Sequence, residues 1–419
     1  MKKPLKKIAM ISTHGYFDPI PRLGKTDTGG QIVYVLELAK ILSQKHKIKV
    51  DIYTRWFNKS QKKIDPVPNF QDIRVIRIKA GLWKFIPKEK IYDFLPELSQ
   101  NIIKFIKKNN INYDLFHGHY VDGGIIAVDI AQHFKKPIFF TPHSLGAWKK
   151  ADMNEDPKKM EKKYNFKRRI KEEIRILKLA KATILTTSLQ KEKLKELYNF
   201  EPKNIDIIPP GVDTDKLRPI SAKGAWNKNL PEKYIFCLSR IDANKGHGVL
   251  LNAFNIVRKK FPETKLVIGG GSFEPKKREL DLLNKIKKII KEKKLKNNVI
   301  MAGYIPDKLL PSFYRQATLF VVPSIFEPFA MTALEAMACE TPIVASKFAG
   351  IKNIILEKKC GLLADPNNSK EFSDAIIKFI ENPEFAKKTG KKGRKIVCKY
   401  FSWDSIAEKY IKFYKKYLD

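Results

Sequence analysis

The strongest constraint on the fold is an alternation along almost the whole chain, in which short apolar runs are each followed by a stretch with helical periodicity. A first series includes KIAMIST (7–13), KVDIYTR (49–55) and PIFFTPHS (137–144). A second series begins at YIFCLSRID (234–242) and ends near CGLLAD (360–365). Strands that alternate with helices are typical of parallel sheets with crossover helices. The pattern therefore predicts an α/β protein with two doubly wound, Rossmann-like domains.

The boundary between the two series lies at IDIIPPGVDTDKLRP (205–219), where prolines and a glycine interrupt the alternation and predict a hinge. Two domains are also expected because 419 residues are too many for one core. We place the N-terminal domain at 1–212 and the C-terminal domain at 213–401. The last amphipathic helix, about 402–419, is expected to return to the N-terminal domain. Doubly wound sheets bind ligands at the carboxyl ends of their strands.

The formal net charge of +38 raises the alternative of a nucleic-acid-binding protein. Lys outnumbers Arg about five to one, however, and Arg is the usual residue for recognising bases and phosphates. The lysines are spread over almost every helical pattern, which favours solvated faces and predicts no nucleic-acid partner. Attraction to acidic metabolites or to a membrane surface is the remaining alternative, and we expect no membrane partner.

The expected location is the cytoplasm. No segment approaches the roughly eighteen apolar residues of a membrane span. The apolar run Ile8–Ile11 is too short for the hydrophobic part of a signal peptide. Four cysteines lie far apart without a metal-type spacing, as reduced thiols do.

Two adjacent glycines, Gly29 and Gly30, stand directly before an amphipathic helix. One explanation is structural: a turn that needs positive φ, or close packing. The other is functional, because the N–H groups and the positive dipole end of a helix N-terminus attract an anion that approaches the bare backbone. These residues alone leave both explanations open.

Charged residues follow two strands of the second series. Arg240 and Lys245 lie in SRIDANKG, where paired cations suit a diphosphate, although such pairs are usually solvated. Glu327 and Glu335 stand eight residues apart in FEPFAMTALEAMA. A carboxylate on an apolar helix needs a partner, and a sugar or ribose hydroxyl would serve. A buried structural acid is the alternative.

Three further patterns are assigned no chemistry. Asp213 and Asp215 form a D-x-D at the hinge, where turn formation and helix capping suffice and metal binding is not expected. His117 and His119 lack a third metal ligand at a suitable spacing. We expect His119 to line the cleft and His117 to pack. GGGS (269–272) is expected to form a glycine turn.

The charged motifs and the glycine pair resemble those of retaining glycosyltransferases with the two-Rossmann (GT-B) fold, which use nucleotide sugars. ISTHGYFDP, FIPKE, GHYVDGG and TPHSLGAWKK are similar to the sucrose-phosphate synthase group. Within that group, DTGGQIVYVLELA, NFKRRI and EPFAMTALEAMA most resemble mannosylfructose-phosphate synthase. The resemblance covers nearly the whole chain in order.

The resemblance implies a donor site in which Arg240 and Lys245 stabilise the departing diphosphate, Glu335 binds the ribose and Glu327 faces the hexose. The full donor-binding set is Gly29, Gly30, Arg240, Lys245, Glu327, Phe329, Ala330, Met331 and Glu335. The catalytic set is Arg240, Lys245, Glu327 and His143. The imidazole or the backbone carbonyl of His143 would stabilise the positive charge that develops on the reacting sugar.

The resemblance also implies an acceptor site, in which Lys88, Lys149 and Arg169 hold a sugar phosphate. Its full set is Gln31, Lys88, Tyr120, Asp122, Lys149 and Arg169. The implied reaction transfers a hexose with retention from a nucleotide sugar, GDP-mannose in preference, to fructose 6-phosphate, without a metal or another cofactor. A separate phosphatase would act on the product. The alternatives are sucrose-phosphate synthesis from UDP-glucose and a peripheral glycosyltransferase with a lipid or glycan acceptor.

Two positions depart from the family pattern. Ala330 stands where the family usually has Gly, which places a methyl group near the donor sugar. Glu340 replaces the usual Gly at the end of the following helix, where a left-handed residue is expected. A non-Gly residue in that conformation costs about 1 kcal/mol. Both departures concern the shape of the donor pocket.

Overall fold

The computed structural model describes residues 4–21, 29–153, 156–219, 229–272, 275, 277–325 and 327–418. The chain forms two compact units. Unit 1 comprises Met1–Pro210 with Ile406–Asp419, and unit 2 comprises Gly211–Ser405. These bounds lie within a few residues of the predicted ones, while what each unit binds stays a prediction.

Unit 1 contains an eight-stranded sheet whose order is β3-β4-β2-β1-β5-β6-β7-β8. Its strands are β1 (Lys7–Ile11), β2 (Lys49–Trp56), β3 (Ile64–Val67), β4 (Phe70–Lys79), β5 (Leu115–His119), β6 (Ile138–Thr141), β7 (Ala182–Leu185) and β8 (Ile205–Ile207). All neighbours pair in parallel except β3 and β4, which are antiparallel. The alternation did not predict β3, and β8 occupies the start of the predicted hinge.

Helices connect these strands and cover the sheet. They are α1 (Gly30–His46), α2 (Leu95–Lys108), α3 (Tyr120–Phe134), α4 (Gly146–Ala151), α5 (Pro157–Tyr164), α6 (Phe166–Leu179) and α7 (Ser188–Tyr198). The charged pattern near 160–180 predicted a single helix, which is wrong. Asn165 adopts a left-handed conformation (φ 52°) between α5 and α6. Asn tolerates this conformation better than most residues, so the helix is interrupted there.

Unit 2 contains a six-stranded parallel sheet of order β11-β10-β9-β12-β13-β14. The strands are β9 (Tyr234–Leu238), β10 (Lys265–Gly269), β11 (Val299–Gly303), β12 (Leu319–Val322), β13 (Ile343–Ser346) and β14 (Leu362–Ala364). The helices are α8 (His247–Lys260), α9 (Lys277–Glu292), α10 (Leu310–Gln316), α11 (Met331–Ala338), α12 (Lys352–Lys358), α13 (Ser369–Glu381) and α14 (Pro383–Tyr400). The predicted doubly wound α/β fold is confirmed in both units.

The C-terminal helix α15 (Trp403–Tyr417) belongs to unit 1 from Ile406 onward. The hydroxyl of Tyr410 contacts that of Tyr34, and the Tyr414 hydroxyl lies 2.6 Å from Nδ1 of His117. All four side chains are almost completely buried. The helix therefore returns to the N-terminal unit, as predicted.

Each sheet reverses its strand order at one place, between β1 and β5 in unit 1 and between β9 and β12 in unit 2. Loops after strands that flank such a reversal diverge and leave a crevice in which ligands bind. The central strands of both sheets are shielded from solvent, since Ile8 through Ile11 of β1 and Tyr234 through Phe236 of β9 are fully buried. Among the described residues, no helix has both the length and the apolar character that crossing a membrane requires.

Candidate active site

The glycine pair precedes α1 in unit 1 without either of the structural needs that glycine usually meets. Gly29 is extended, with φ −158°, and α1 begins at Gly30. A Cβ atom added at either position would meet no described atom within 4 Å. Asp27 and Thr28, which complete the motif, lie outside the described residues. Neither positive φ nor close packing against a described atom explains the pair, and its role toward a ligand stays a prediction.

The crevice between β1 and β5 contains a buried network around Asp122. Thr13 Oγ1 donates to Asp122 Oδ2 (2.6 Å), and Nδ1 of His14 lies 2.8 Å from the same oxygen. Burial acts to raise the pKa of Asp122, but His14 and Thr13 outweigh it and hold the pKa below its usual range. The carboxylate is therefore ionised and engaged by protein groups. Gln31, the second residue of α1, donates through Nε2 to Oγ of Ser12, the residue directly after β1 (3.1 Å).

His143 lies just after β6 in a strained, left-handed conformation (φ 57°). Its Nε2 lies 3.1 Å from Nδ1 of His119, whose ring stacks on that of His117. Burial, with a smaller effect of His14, lowers the pKa of His143 to about 3, so the imidazole is neutral near pH 7. His117 packs as predicted. The prediction that His119 lines the cleft is wrong, because its side chain is completely buried among these rings.

One small pocket in unit 1 brings the three predicted phosphate-binding cations together. Lys88 lies in a short 3-10 turn, Lys149 on α4 and Arg169 on α6. The pocket is lined by Lys88, Glu89, Tyr92, Tyr120, Lys149, Tyr164 and Arg169. Aromatic rings support the cations: Lys149 Nζ lies 4.4 Å from the Tyr164 ring centre, and the Arg169 guanidinium lies 4.7 Å from that of Tyr120.

A larger pocket of about 230 Å³ in the same unit contains none of the predicted site residues. It is lined by Tyr16, Asp18, Asn58, Ser60, Gln61, Lys62 and Asp65. The ammonium and guanidinium groups that suit a phosphate are concentrated in the smaller pocket, which we call the acceptor pocket.

Arg169 is held rigidly although it lines the acceptor pocket. Its Nε donates to Glu173 Oε1 (2.8 Å), and its Nη2 donates to both the carbonyl oxygen and Oγ of Ser144 (3.0 Å each). Arg169 is 4% exposed and Glu173 is 1% exposed. Sequence motifs did not single out Glu173. The signal that could have found it is a carboxylate four residues after a cation on one helix face, a spacing that pairs the two side chains.

In unit 2, two loops meet at the crevice between β9 and β12. The loop after β9 carries Arg240 and Lys245, and the loop after β12 carries Glu327. Lys245 Nζ lies 2.5 Å from Glu327 Oε2, and Ile325 N donates to the Asn244 carbonyl (2.8 Å). The side chains of Lys245 and Glu327 are only 10% and 20% exposed.

The glycine after Lys245 fixes this arrangement. Gly246 has φ 71°, and a Cβ there would come within 1.9 Å of the Pro323 carbonyl oxygen. Arg240, by contrast, is exposed, and its guanidinium makes no hydrogen bond to the described part of the chain. We call the two loops that follow β9 and β12, which carry Arg240, Lys245 and Glu327, the donor loops.

The helix α11 begins at Met331, directly after the donor loops. The backbone N–H groups of Phe329, Ala330 and Met331 lie at the N-terminal end of this helix. No side chain caps this end. Unsatisfied N–H groups and the helix dipole suit an anion or a hydroxyl oxygen. Glu335 lies on the same helix, and its Oε2 accepts a hydrogen bond from the hydroxyl of Tyr314 on α10 (2.5 Å). Burial raises the pKa of Glu335, while that hydrogen bond opposes the rise.

Backbone geometry bears on three sequence predictions and adds one observation that the sequence did not predict. Glu340 is left-handed as predicted (φ 64°), and Ala330 is left-handed too (φ 76°), which was not predicted. Asp213 Oδ1 accepts from the backbone N of Asp215 and of Lys216, which confirms the turn-forming role. GGGS begins with the last residue of β10 and leaves the strand with Gly270 and Gly271 at positive φ (116° and 102°), and a Cβ at Gly270 would come within 1.8 Å of the Ser239 carbonyl oxygen.

Comparison with solved structures shows which class this architecture defines. The fold matches sucrose-phosphate synthase from Thermosynechococcus elongatus with a TM-score of 0.85 over 98% of each chain, at 28% identity. Two Rossmann-like units of this kind define the GT-B glycosyltransferase fold.

Sequence comparison is more specific. The families described as "Glycosyl transferases group 1" and "Glycosyltransferase Family 4" match residues 221–396 and 28–216. Mannosylfructose-phosphate synthase of Agrobacterium fabrum is 37% identical over 96% of this chain and 89% of its own length. A probable sucrose-phosphate synthase of Thermosipho melanesiensis is 32% identical over 98% of this chain and 96% of its own. The chain belongs to the GT-B glycosyltransferases of group 1, and the resemblance identified from its motifs is confirmed.

Proposed function

We propose that the protein transfers a hexose, with retention, from a nucleotide sugar to fructose 6-phosphate. GDP-mannose is the favoured donor, and the product is a phosphorylated non-reducing disaccharide. The observation that carries this proposal is the acceptor pocket, where residues far apart in sequence present three cations to one small volume.

The charge of the acceptor pocket favours a sugar phosphate over an uncharged sugar. A phosphate dianion offers several strong acceptor oxygens, which ammonium and guanidinium groups bind with charge-assisted hydrogen bonds. Three of the side chains that line the pocket, those of Lys88, Lys149 and Arg169, are cationic, and one, that of Glu89, is anionic, so the lining carries a net positive charge that an uncharged sugar would not use. The pocket also includes the Tyr120 side chain, which the resemblance places at the acceptor.

The donor loops suit the departure of a nucleoside diphosphate. Arg240 and Lys245 would stabilise the leaving diphosphate as the bond to the hexose breaks and the electron pair leaves with the phosphate oxygen. The N–H groups at the start of α11 would add a fixed dipole. Glu327 and Glu335 would bind hexose and ribose hydroxyls, respectively. Attack from the face that the diphosphate leaves gives retention, with neutral His143 beside the reacting carbon and no metal required.

The preference for GDP-mannose over UDP-glucose rests on two stretches. The stretch AGIKNII (349–355) lacks the acidic residue that sucrose-type relatives tend to carry, and MTALEAMA resembles the mannosyl branch. Support for the relevance of AGIKNII comes from its position: Ala349 forms a backbone bridge with Glu327, and Gly350 N donates to the Glu327 carbonyl (2.9 Å). Sucrose-phosphate synthesis from UDP-glucose is the alternative within the same reaction class.

The proposed product keeps its phosphate, so a separate phosphatase would be its next partner. The proposed setting is the cytoplasm, where nucleotide sugars and sugar phosphates are available. Two relatives carry names that end in "phosphate synthase", in agreement with a phosphorylated product.

The test is a matrix of GDP-mannose and UDP-glucose against fructose 6-phosphate and fructose, with and without a metal chelator. Products are identified by mass, and the anomeric configuration is read by NMR. We expect the highest kcat/KM with GDP-mannose and fructose 6-phosphate, an anomeric configuration equal to the donor's, and no loss with chelator. A higher kcat/KM with UDP-glucose would reverse the donor choice. An equal kcat/KM for fructose and fructose 6-phosphate would contradict the acceptor assignment.

A further inference from the structure

Glu173 is a buried carboxylate that joins three helices around the acceptor pocket. Besides the Arg169 Nε–H, it accepts the backbone N–H of Gly146 (3.0 Å to Oε2) and the hydroxyl of Tyr198. Gly146 is the first residue of α4 and Tyr198 the last residue of α7, whereas Glu173 itself lies on α6. One carboxylate thus ties together the helix that carries Arg169 and the helix that carries Lys149.

Close packing at Gly146 shows that this junction tolerates little displacement. A Cβ atom there would lie 2.9 Å from Arg169 Nε and 3.0 Å from Glu173 Oε2. Any side chain at this position would push the arginine and the carboxylate apart. The glycine lets the start of α4 donate directly to Glu173.

The hydrogen bonds of Arg169 leave one edge of the guanidinium available. The side chain has five N–H groups. One on Nε reaches Glu173, and those on Nη2 reach Ser144. Nη1 has no hydrogen-bond partner among the described residues, and Arg169 lines the acceptor pocket. The groups that remain are the ones an incoming anion could use.

We propose that Glu173 is a positioning residue of the acceptor site: it holds Arg169 in the orientation that the phosphate of the acceptor needs before the acceptor arrives. The inference rests on the proposed function. Glu173 also balances the charge of the buried guanidinium, so Arg169 contributes directed hydrogen-bond donors more than net charge. A group that is already ordered loses little conformational freedom on binding.

The test replaces Glu173 by Gln, which has the same shape without the charge, and uses Glu172→Gln as a matched control. Glu172 is the preceding residue on α6 and pairs with Arg175 at the surface (2.7 Å). We expect Glu173→Gln to raise the KM for fructose 6-phosphate about tenfold or more. The kcat/KM for unphosphorylated fructose, the donor KM and donor hydrolysis without acceptor should stay within twofold. Glu172→Gln should leave every value unchanged.

An unchanged KM for fructose 6-phosphate in folded Glu173→Gln protein would overturn the inference. So would equal losses for both acceptors and for donor hydrolysis, which a merely structural role predicts. If Glu173→Gln does not fold, the same measurements are made on Glu173→Asp. Its side chain keeps the charge but is shorter, so the carboxylate lies farther from Arg169.

A thermal-shift titration with inorganic phosphate separates this inference from the proposed function. Phosphate should raise the Tm of the unaltered full chain and of Glu172→Gln, and much less that of Glu173→Gln. If that pattern holds while fructose 6-phosphate is not a substrate, the proposed function fails and the role of Glu173 stands. If fructose 6-phosphate is a substrate and phosphate stabilises all three proteins equally, the role of Glu173 fails alone.

Discussion

The acceptor pocket and the donor loops are both built from segments that follow strands of their own sheets, but their cations have different surroundings. In the acceptor pocket, Arg169 and Lys149 pack on tyrosine rings, and Arg169 is fixed further by Glu173 and Ser144. In the donor loops, Lys245 is bound to Glu327. The first arrangement leaves Nη1 of Arg169 without a hydrogen-bond partner among the described residues, whereas the second pairs a cation of the site with an anion of the site.

This difference implies different costs of binding. A phosphate that enters the acceptor pocket meets groups that are already oriented, so little order is lost on binding. Under the proposed function, a diphosphate at the donor loops would have to replace Glu327 as the partner of Lys245. The exchange would release Glu327 to bind a hydroxyl of the hexose. Each of the following predictions tests one side of this comparison.

The largest effect is expected at Lys245. Replacing Lys245 by Ala should lower kcat at least a hundredfold, about 3 kcal/mol, because its charge acts mainly on the leaving diphosphate in the transition state. Arg240→Ala should act similarly, and the double variant should lose less than the sum because both cations serve one leaving group. Steady-state kinetics with both substrates measures this.

The matched control is Lys265→Ala, since Lys265 is the first residue of β10, away from the loops that follow the strands, and its ammonium group donates to the Asn297 carbonyl at the surface (3.2 Å). Near-normal turnover of folded Lys245→Ala protein would remove Lys245 from the catalytic set.

The next effect concerns Lys149 in the acceptor pocket. Lys149→Ala should raise the KM for fructose 6-phosphate about ten- to a hundredfold, roughly 1.5 to 3 kcal/mol for one charged contact. Donor hydrolysis without acceptor should hardly change. Lys150→Ala is the control, because Lys150 is the exposed neighbour on α4 and does not line the pocket. A similar KM in both variants would show that the pocket does not bind the phosphate through Lys149.

A smaller effect of opposite sign is expected at Glu327. Glu327→Gln should tighten the binding of GDP alone about fivefold, close to 1 kcal/mol, because Lys245 no longer has a competing carboxylate. The same change should lower kcat with the complete donor. Calorimetry on the full chain measures GDP binding, and Glu381→Gln, which removes the surface pair with Lys260, is the control. Weaker GDP binding in Glu327→Gln would contradict the exchange of partners.

The smallest effect concerns the backbone beside the donor loops. Ala330→Gly should raise the free energy of unfolding by about 0.5 to 1 kcal/mol, since a left-handed backbone strains any residue with a Cβ. Glu340→Gly, at the other end of α11, should do the same outside the candidate site. Denaturant unfolding of both variants checks this. A loss of stability in Ala330→Gly would mean that the alanine methyl group makes packing contacts worth more than its strain.

Local sequence was sufficient for most of the fold. The strands β1 and β9, which lie within KIAMIST and YIFCLSRID, are buried in a parallel sheet from Ile8 to Ile11 and from Tyr234 to Cys237. These residues must therefore be apolar, and the resulting apolar runs make the strands easy to recognise. The strand β3 (IDPV) is a short, partly exposed edge strand with a proline, so it lacks that pattern. The break between α5 and α6 was missed because the helical pattern of the sequence continues across Asn165. The left-handed conformation of that residue leaves no mark in the pattern.

What the sequence by itself determined is the order of the elements, the two-unit organisation and the identity of the residues that can carry charge chemistry, because these follow from local patterns and motifs. Only the tertiary structure decided which charges meet. It brought Lys88, Lys149 and Arg169 into one pocket and joined Lys245 to Glu327, 82 residues away along the chain. It also assigned Glu173 to Arg169 and buried His119 behind His143. The physical reason is that electrostatic and hydrogen-bonding partners act over a few ångströms in space, and the packing of helices on a sheet sets those distances.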